Sequence, residues 1–180
     1  YLFAKSSLLL AELGPAAVHL QATTFERLVI GQILETQGYT PGKSMIDHYL
    51  SVVADKTGSL IAASARYGAM SAKAAPEIME TLTEFGEKIG VVFQLADDII
   101  DIASTSNESG KTPGTDLREG VPTLVTLFIL ESEDPEDAEL KKLLSAPIHD
   151  EAVIAQTLAT LRTHRAMEES RKLEIGRAHV

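Results

Sequence analysis

The most informative stretch of this sequence reads Phe93-Gln94-Leu95-Ala96-Asp97-Asp98-Ile99-Ile100-Asp101. If it is helical, Asp97 and Asp101 project from one face a turn apart, with Asp98 about 100° around the axis. Apolar residues surround these acids, which predicts a helix buried nearly all round. Desolvating each carboxylate there costs about several kcal/mol unless a cation neutralises it. The three aspartates are therefore predicted to bind a hard divalent cation, which we expect to be Mg²⁺. A solvated acidic patch near a helix end is the alternative.

The composition indicates an all-α protein. Hydrophobic residues make up 44% of the 180 residues, aromatic residues only 5%, and tryptophan is absent. Small apolar side chains must then fill the interior, which suits packed helices better than a β-sandwich. A net charge of −10 without a basic stripe argues against a nucleic-acid partner. No apolar run reaches the roughly 18 residues of a membrane span. The lack of cysteine permits a cytoplasmic location, which we expect.

Hydrophobic periodicity and capping residues predict helices along nearly the whole chain, in a single bundle without a domain boundary. The predicted helices cover residues 2–13, 15–36, 44–53, 60–74, 76–102, 123–130, 138–144 and 150–173. The polar stretch 104–121 is predicted to be a loop, and its length indicates a functional role.

Three further residues are candidates for binding an anion that is also bound to the cation. Lys56 and Thr57 precede Gly58, where the helix is predicted to break, so they offer an ammonium, a hydroxyl and free backbone N–H groups. A solvated helix end is the alternative interpretation. Gln94 lies almost one turn before Asp97 and can donate to a phosphate, although an isolated core glutamine usually bonds a neighbouring residue.

The loop from Gly110 to Thr123 is rich in glycine and carries Lys111 and Arg118. Its glycines permit a close approach of the backbone to a ligand, and the two cations suit a phosphate. A surface ion network of Arg118 with Asp116 and Glu119 is the alternative.

Together these motifs resemble the trans-isoprenyl (polyprenyl) diphosphate synthase family. The likeness covers residues 1–173 and rests on the order and spacing of Lys56-Thr57-Gly58, Phe93–Asp101, Gly110-Lys111 and Gly114–Thr123. Tyr1-Leu2-Phe3-Ala4 and Gly31-Gln32 also resemble helices of that family. The resemblance implies part of an isoprenoid synthase-type helical bundle. It also implies a magnesium-dependent transferase that condenses an allylic diphosphate with isopentenyl diphosphate, releases diphosphate and makes a longer trans-polyprenyl diphosphate. A homodimer of the full-length enzyme is a further family expectation.

The same resemblance assigns roles to individual residues. The metal ligands are expected to be Asp97, Asp98 and Asp101. The diphosphate ligands are expected to be Lys56, Thr57, Gln94 and Lys111. Catalysis is expected to depend on Asp97, Lys56 and Lys111.

This sequence departs from the family pattern in two respects. Val121 stands where many members carry a second lysine, and the first Asp-rich motif is absent. That motif would precede Tyr1, so residues 1–174 are interpreted as a carboxyl-terminal part that is inactive alone. The segment 175–180 matches the translation of a common sequencing adapter, which suggests a non-native tail; a natural frayed tail is the alternative.

Two other functions compete with chain elongation. A class I terpene cyclase shares the bundle, but its second metal site usually mixes Asn or Asp, Ser or Thr, and Glu. A non-catalytic subunit related to the synthases is disfavoured, because the acidic and basic groups are retained.

Overall fold

The computed structural model describes residues 1–104 and 112–178, which form helices without any strand. These residues divide into two compact units. Unit 1 contains residues 1–39 and 50–91, and unit 2 contains residues 40–49 and the described residues from 92 onward. The predicted all-α fold is confirmed, whereas no sequence signal indicates this division.

Unit 1 is built from long helices whose ends follow the glycine and proline signals. Gly14 has a φ of +96° and Pro15 begins the next helix, so the chain turns where the sequence predicts a turn. The elements that contribute to unit 1 are α1 (Leu2–Glu12), α2 (Pro15–Gln37), the end of α3 (Met45–Val53), a π-helical turn (Ala54–Gly58), α4 (Ser59–Ser71) and α5 (Pro76–Ala103) as far as Val91.

Small residues allow α5 to approach α4 and the π-helical turn closely within unit 1. A Cβ atom added at Gly86 would lie 2.7 Å from the Cα atom of Ala62, and one at Gly90 would lie 2.8 Å from the Cα atom of Gly58. No side chain fits in such a space, so only glycine permits this backbone approach. The expectation that small residues fill the interior is confirmed in this unit.

Unit 2 has a larger aliphatic core. It contains the beginning of α3, the end of α5, α6 (Thr115–Glu119), α7 (Leu124–Glu131), a 3₁₀ turn (Pro135–Asp137), α8 (Ala138–Leu144), α9 (Glu151–Thr163) and α10 (Arg165–Ala178). The buried side chains of the core are Ile99, Ile102, Leu117, Val125, Ile129, Ile148, Ile154, Leu158, Leu161, Ala166 and Met167. The end of α5 is thereby fixed against α7, α9 and α10.

Two details of unit 2 differ from the sequence predictions. The short helix α6 lies inside the stretch predicted to be a loop. The predicted helix 150–173 is interrupted at His164, whose ψ of 146° is extended. There the Ala166 amide donates to His164 Nδ1 at 3.2 Å, so the histidine ring caps α10. Helix α10 continues to Ala178, and the non-native origin of 175–180 stays a prediction.

The burial of α5 is also only partly as predicted. Leu95 and Ile99 are buried, but Phe93 and Ile100 are 64% and 46% exposed. The prediction that this stretch is buried nearly all round is therefore wrong for this chain, because the described residues cover only one face of the helix. Separately, none of the described helices combines the length and apolarity needed to cross a bilayer.

Candidate functional site

The three aspartates of the acidic motif lie in the last turns of α5, in unit 2. Asp98 is 5% exposed, and Asp97 and Asp101 are half-buried. The acids are thus withdrawn from bulk solvent, as the sequence argument requires. Because the aspartates are at least partly buried, neighbouring donors and charges strongly affect whether a carboxylate there favours a bound cation.

Asp98 is held by hydrogen bonds from two side chains. The Tyr49 hydroxyl donates to Asp98 Oδ2, and Gln94 Nε2 donates to Asp98 Oδ1 at 3.1 Å. Burial raises the pKa of Asp98, against the hydrogen bonds from Tyr49, Gln94 and the Leu124 amide, which lower it. Burial, followed by the charge of Asp98, also raises the pKa of Tyr49. Gln94 therefore contacts a carboxylate in this structure, and its predicted contact with a phosphate stays a prediction.

Asp101 connects the end of α5 to the start of α6. The Gly114 amide donates to the Asp101 carbonyl at 3.2 Å, and the Thr115 amide lies 3.4 Å from Asp101 Oδ1. Among the described residues, Asp101 Oδ2 is buried and has no hydrogen-bond partner. A buried carboxylate oxygen without a donor is costly, so a cation at this atom would be favourable.

Asp116 on α6 is close enough to these aspartates to be affected by their charge, and it is a candidate site residue that the sequence does not predict. Burial, then the charges of Asp101, Asp98, Glu119 and Asp97, raises the pKa of Asp116 to about 7. The hypothesis of a surface network of Arg118 with Asp116 and Glu119 is wrong. Arg118 Nε and Nη2 instead donate to Glu151, at 2.9 and 2.7 Å. The available sequence signal was the position of Asp116 within the glycine-rich motif.

We call Asp97, Asp98, Asp101 and Asp116 the acidic group. Within residues 1–104 and 112–178, no three acids or histidines are arranged to hold one metal ion by themselves. That arrangement is compatible with magnesium, which usually takes one or two carboxylates and completes its shell with water and substrate phosphate oxygens. The donor atoms of the acidic group are all oxygen, and Asp101 Oδ2 has no hydrogen-bond partner among the residues that the structure describes. These features fit a hard divalent cation.

Lys56 and Thr57 lie in unit 1 within the π-helical turn Ala54–Gly58. The predicted helix break at Gly58 is wrong: Gly58 has right-handed helical angles, and the Ser59 amide donates to the Ala54 carbonyl five residues earlier. The expected free N–H groups of a helix start are therefore not provided there. The sequence suggested a break because glycine disfavours helices, whereas close packing against α5 stabilises this one.

Lys56 has an acidic partner in unit 1. Its Nζ atom lies 2.6 Å from Glu35 Oε2, and both side chains are partly exposed. Such a pair is weak in water and can be exchanged for a stronger anion. Lys111, the other predicted cation, lies outside the described residues. Val121 is exposed, and nothing in the described part of unit 2 assigns it a contact with a ligand.

The comparisons with known proteins agree with one another. The sequence profile of the family described as polyprenyl synthetase matches residues 1–161. Nonaprenyl diphosphate synthase of Mycobacterium tuberculosis is 47% identical over 171 residues, which are 95% of this chain and 51% of that protein. Dimethylallyltranstransferase of the same organism is 41% identical over 162 residues, 90% of this chain and 49% of that protein.

Solved structures give the same result. Geranylgeranyl pyrophosphate synthase from Corynebacterium glutamicum, complexed with calcium and isoprenyl diphosphate, is 40% identical with a TM-score of 0.85, covering 98% of this chain and 55% of that one. Polyprenyl synthase from Caulobacter crescentus, complexed with the same two ligands, is 28% identical with a TM-score of 0.86. The match covers 99% of this chain and 55% of that one. This chain thus spans about half the length of its relatives.

Proposed function

Because the chain belongs to the polyprenyl synthetase family, we propose that it forms the part of a prenyltransferase that binds an allylic diphosphate through magnesium. The parent reaction condenses the allylic diphosphate with isopentenyl diphosphate, releases diphosphate and yields a longer trans-polyprenyl diphosphate. The chain corresponds to half of its relatives, so the activity belongs to a protein that also supplies what the other half provides. We expect this chain to be inactive alone.

The observation that carries this proposal is the clustering of buried and half-buried carboxylates in the acidic group. Burial and mutual repulsion raise the pKa of Asp116 to about 7, and Asp101 Oδ2 is buried with no hydrogen-bond partner in the described part of the chain. A bound cation removes both costs. Asp97, Asp98 and Asp101 would each contribute to holding it, with water and diphosphate oxygens completing its shell, and Asp116 would be close enough to be affected by its charge. The calcium in two related structures supports a divalent ion, and oxygen donors favour Mg²⁺ in the cell.

The proposed reaction requires stabilisation of the negative charge that develops on the departing diphosphate. The allylic C–O bond breaks with its electron pair leaving on diphosphate, the double bond of isopentenyl diphosphate forms the new C–C bond, and a proton is then lost. Magnesium supplies Lewis-acid stabilisation of the leaving oxygens when it is bound. Lys56 and Lys111 would add cationic hydrogen bonds where negative charge develops. Thr57 and Gln94 would add neutral ones, and Gln94 can do so while bonded to Asp98, because its amide nitrogen carries a second hydrogen.

A homodimer and a cytoplasmic location complete the proposal. Apolar side chains of α2, including Phe25 and Ile33, are 52% and 49% exposed, which suits a partner surface. The absence of cysteine is compatible with a reducing compartment. Sedimentation velocity and cell fractionation test these two points, and a monomer or a secreted protein counts against them.

The function is tested with the full gene product, meaning this chain with all the sequence its gene encodes. The protein is given labelled isopentenyl diphosphate, an allylic diphosphate primer and magnesium. Extension of the primer supports the proposal. Cyclisation of the primer without extension identifies a terpene cyclase, and the absence of both products identifies a non-catalytic relative.

A further inference from the structure

One face of α2 clamps the π-helical turn of unit 1. Arg27, Gly31 and Glu35 are spaced four residues apart, so their side-chain positions share one stripe of the helix. Arg27 and Glu35 bond to residues of the turn, and Gly31 lies between them against its backbone. We call these three residues the α2 stripe.

Arg27 makes four hydrogen bonds, and they tie three elements together. Its Nε atom donates to Asp55 Oδ1 at 2.9 Å, and Nη2 donates to the Ala54 carbonyl at 3.2 Å. Nη1 and Nη2 also donate to Glu87 of α5, at 2.9 and 2.6 Å. The guanidinium is a rigid fork, so these bonds fix the turn relative to both α2 and α5. They also raise the pKa of Arg27, with the bond to Glu87 contributing most.

Gly31 explains how α2 comes so close to the turn. A Cβ atom at Gly31 would lie 2.9 Å from Lys56 Cγ and 3.0 Å from Asp55 Cβ. The stem of Lys56 therefore runs across a backbone that carries no side chain. On the far side, Gly90 of α5 makes a similarly close approach to Gly58. The turn that presents Lys56 and Thr57 is thus confined from two sides.

A π-helical turn needs such support. The π-helix closes with bonds five residues apart, is rare, and occurs mostly as single turns inside α-helices, frequently at functional sites. Here the Ala54 carbonyl accepts from both the Ser59 amide and Arg27, and the Ser59 hydroxyl donates to the Asp55 carbonyl at 2.6 Å. Each bond lies beside the Lys56-Thr57 pair. Of the two side chains that make these bonds, only that of Arg27 comes from another helix, α2. It also bonds Glu87 of α5.

We propose that Arg27 is a positioning residue: through Asp55 and the Ala54 carbonyl it holds the π-helical turn so that Lys56 and Thr57 meet the substrate diphosphate. This inference rests on the proposed function, because it takes Lys56 as a diphosphate ligand. Arg27 itself does not contact the substrate. Its effect on binding therefore passes through Lys56, and this distinguishes positioning from general support of the fold.

A double-mutant cycle tests this route, with inorganic pyrophosphate and magnesium as the probe and calorimetry on the full gene product as the measurement. Lys56→Ala is expected to weaken binding about tenfold, the effect of losing one charge-assisted hydrogen bond. Arg27→Gln is expected to weaken pyrophosphate binding about fivefold, and Arg27→Lys is expected to weaken it less. In the Lys56→Ala background, Arg27→Gln should change affinity by less than about twofold, because the two effects are coupled.

Arg66→Gln is the matched control, since Arg66 also pairs with a glutamate of α5 in unit 1, Glu80, at 3.1 Å. It should leave pyrophosphate affinity unchanged. If Arg27→Gln weakens pyrophosphate binding equally in the original and the Lys56→Ala backgrounds, only this inference is overturned. The same holds if Arg27→Gln weakens binding in neither background. If Lys56→Ala has no effect, the assignment of Lys56 fails and the inference falls with it. Should Arg27→Gln not fold, Asp55→Asn takes its place in the same cycle.

Discussion

The Tyr49 hydroxyl donates a hydrogen bond to Asp98 Oδ2, joining the middle of α3 to the acidic motif of α5 across 49 positions of the sequence. This bond and the one from Gln94 occupy both oxygens of the Asp98 carboxylate. Asp98 is therefore fixed within unit 2 before any ion is bound. In a diphosphate-binding site, this would orient α5 and so the neighbouring Asp97 and Asp101.

Removing the tyrosine hydroxyl should destabilise unit 2. Tyr49→Phe leaves the buried Asp98 with one fewer donor, so we expect the free energy of unfolding to fall by about 1–3 kcal/mol. Urea unfolding followed by circular dichroism measures the change. Tyr39→Phe is the control, because the Tyr39 side chain is 53% exposed. Equal stability of Tyr49→Phe and the unsubstituted protein would contradict the role given to this bond.

The acidic group should repel itself in the absence of metal. Asp116→Asn removes one of its charges, so we expect a higher free energy of unfolding at pH 8 without magnesium, on the order of 1 kcal/mol. The rise in melting temperature on adding magnesium should be smaller in the variant, because less repulsion remains for the ion to neutralise. Calorimetric melting with and without magnesium decides this. A variant less stable than the original protein without metal counts against the repulsion.

The sequence predicts the features of this site that depend on neighbouring residues, and it does not predict contacts between residues far apart in the chain. The helix carrying Asp97 and Asp101 follows from local periodicity, and Gly14-Pro15 marks a helix boundary by backbone geometry alone. Tyr49 could not be identified, since a lone tyrosine gives no sign of a partner on another helix. The sequence predicts a break at Gly58 because glycine's low helix propensity is local, whereas the packing of Gly58 against Gly90 in the π-helical turn is tertiary.

Glu35 competes with the substrate for Lys56 under this account. Glu35→Gln removes the carboxylate that now lies 2.6 Å from Lys56 Nζ. We expect pyrophosphate to bind about two- to fivefold more tightly, since a partly exposed ion pair contributes less than about 1 kcal/mol. Calorimetry with magnesium and pyrophosphate measures the affinity. Glu80→Gln, which removes the partner of Arg66, is the control. Weaker binding in Glu35→Gln would show that Glu35 supports the lysine instead of competing.

The junction of α9 and α10 should be sensitive to acid through Asp137. Hydrogen bonds from Ser132, His164 and Arg165 lower the pKa of Asp137 to about 2, from an ordinary value of 3.8. A lowered pKa contributes stability that is present above pH 3.8 and is lost as the pH falls toward about 2. The stability difference between the original protein and Asp137→Asn should therefore shrink over that interval.

Urea unfolding at several pH values between 2 and 7 follows this difference. Glu139→Gln serves as the control, because Glu139 is exposed and an exposed substitution changes stability by less than about 0.5 kcal/mol. A difference for Asp137→Asn that stays constant down to pH 2 would show that the ionised form of Asp137 is not what stabilises this junction.

The proposed cation site is tested most directly by the turnover of Asp97→Ala in the full gene product. The assay uses labelled isopentenyl diphosphate, an allylic diphosphate primer and magnesium, with circular dichroism on the same sample. We predict that chain extension slows by about a hundredfold or more, the effect of losing several kcal/mol of transition-state stabilisation, while the helical signal is unchanged. Unchanged turnover in the variant would contradict the assignment of the acidic motif to the metal and the diphosphate.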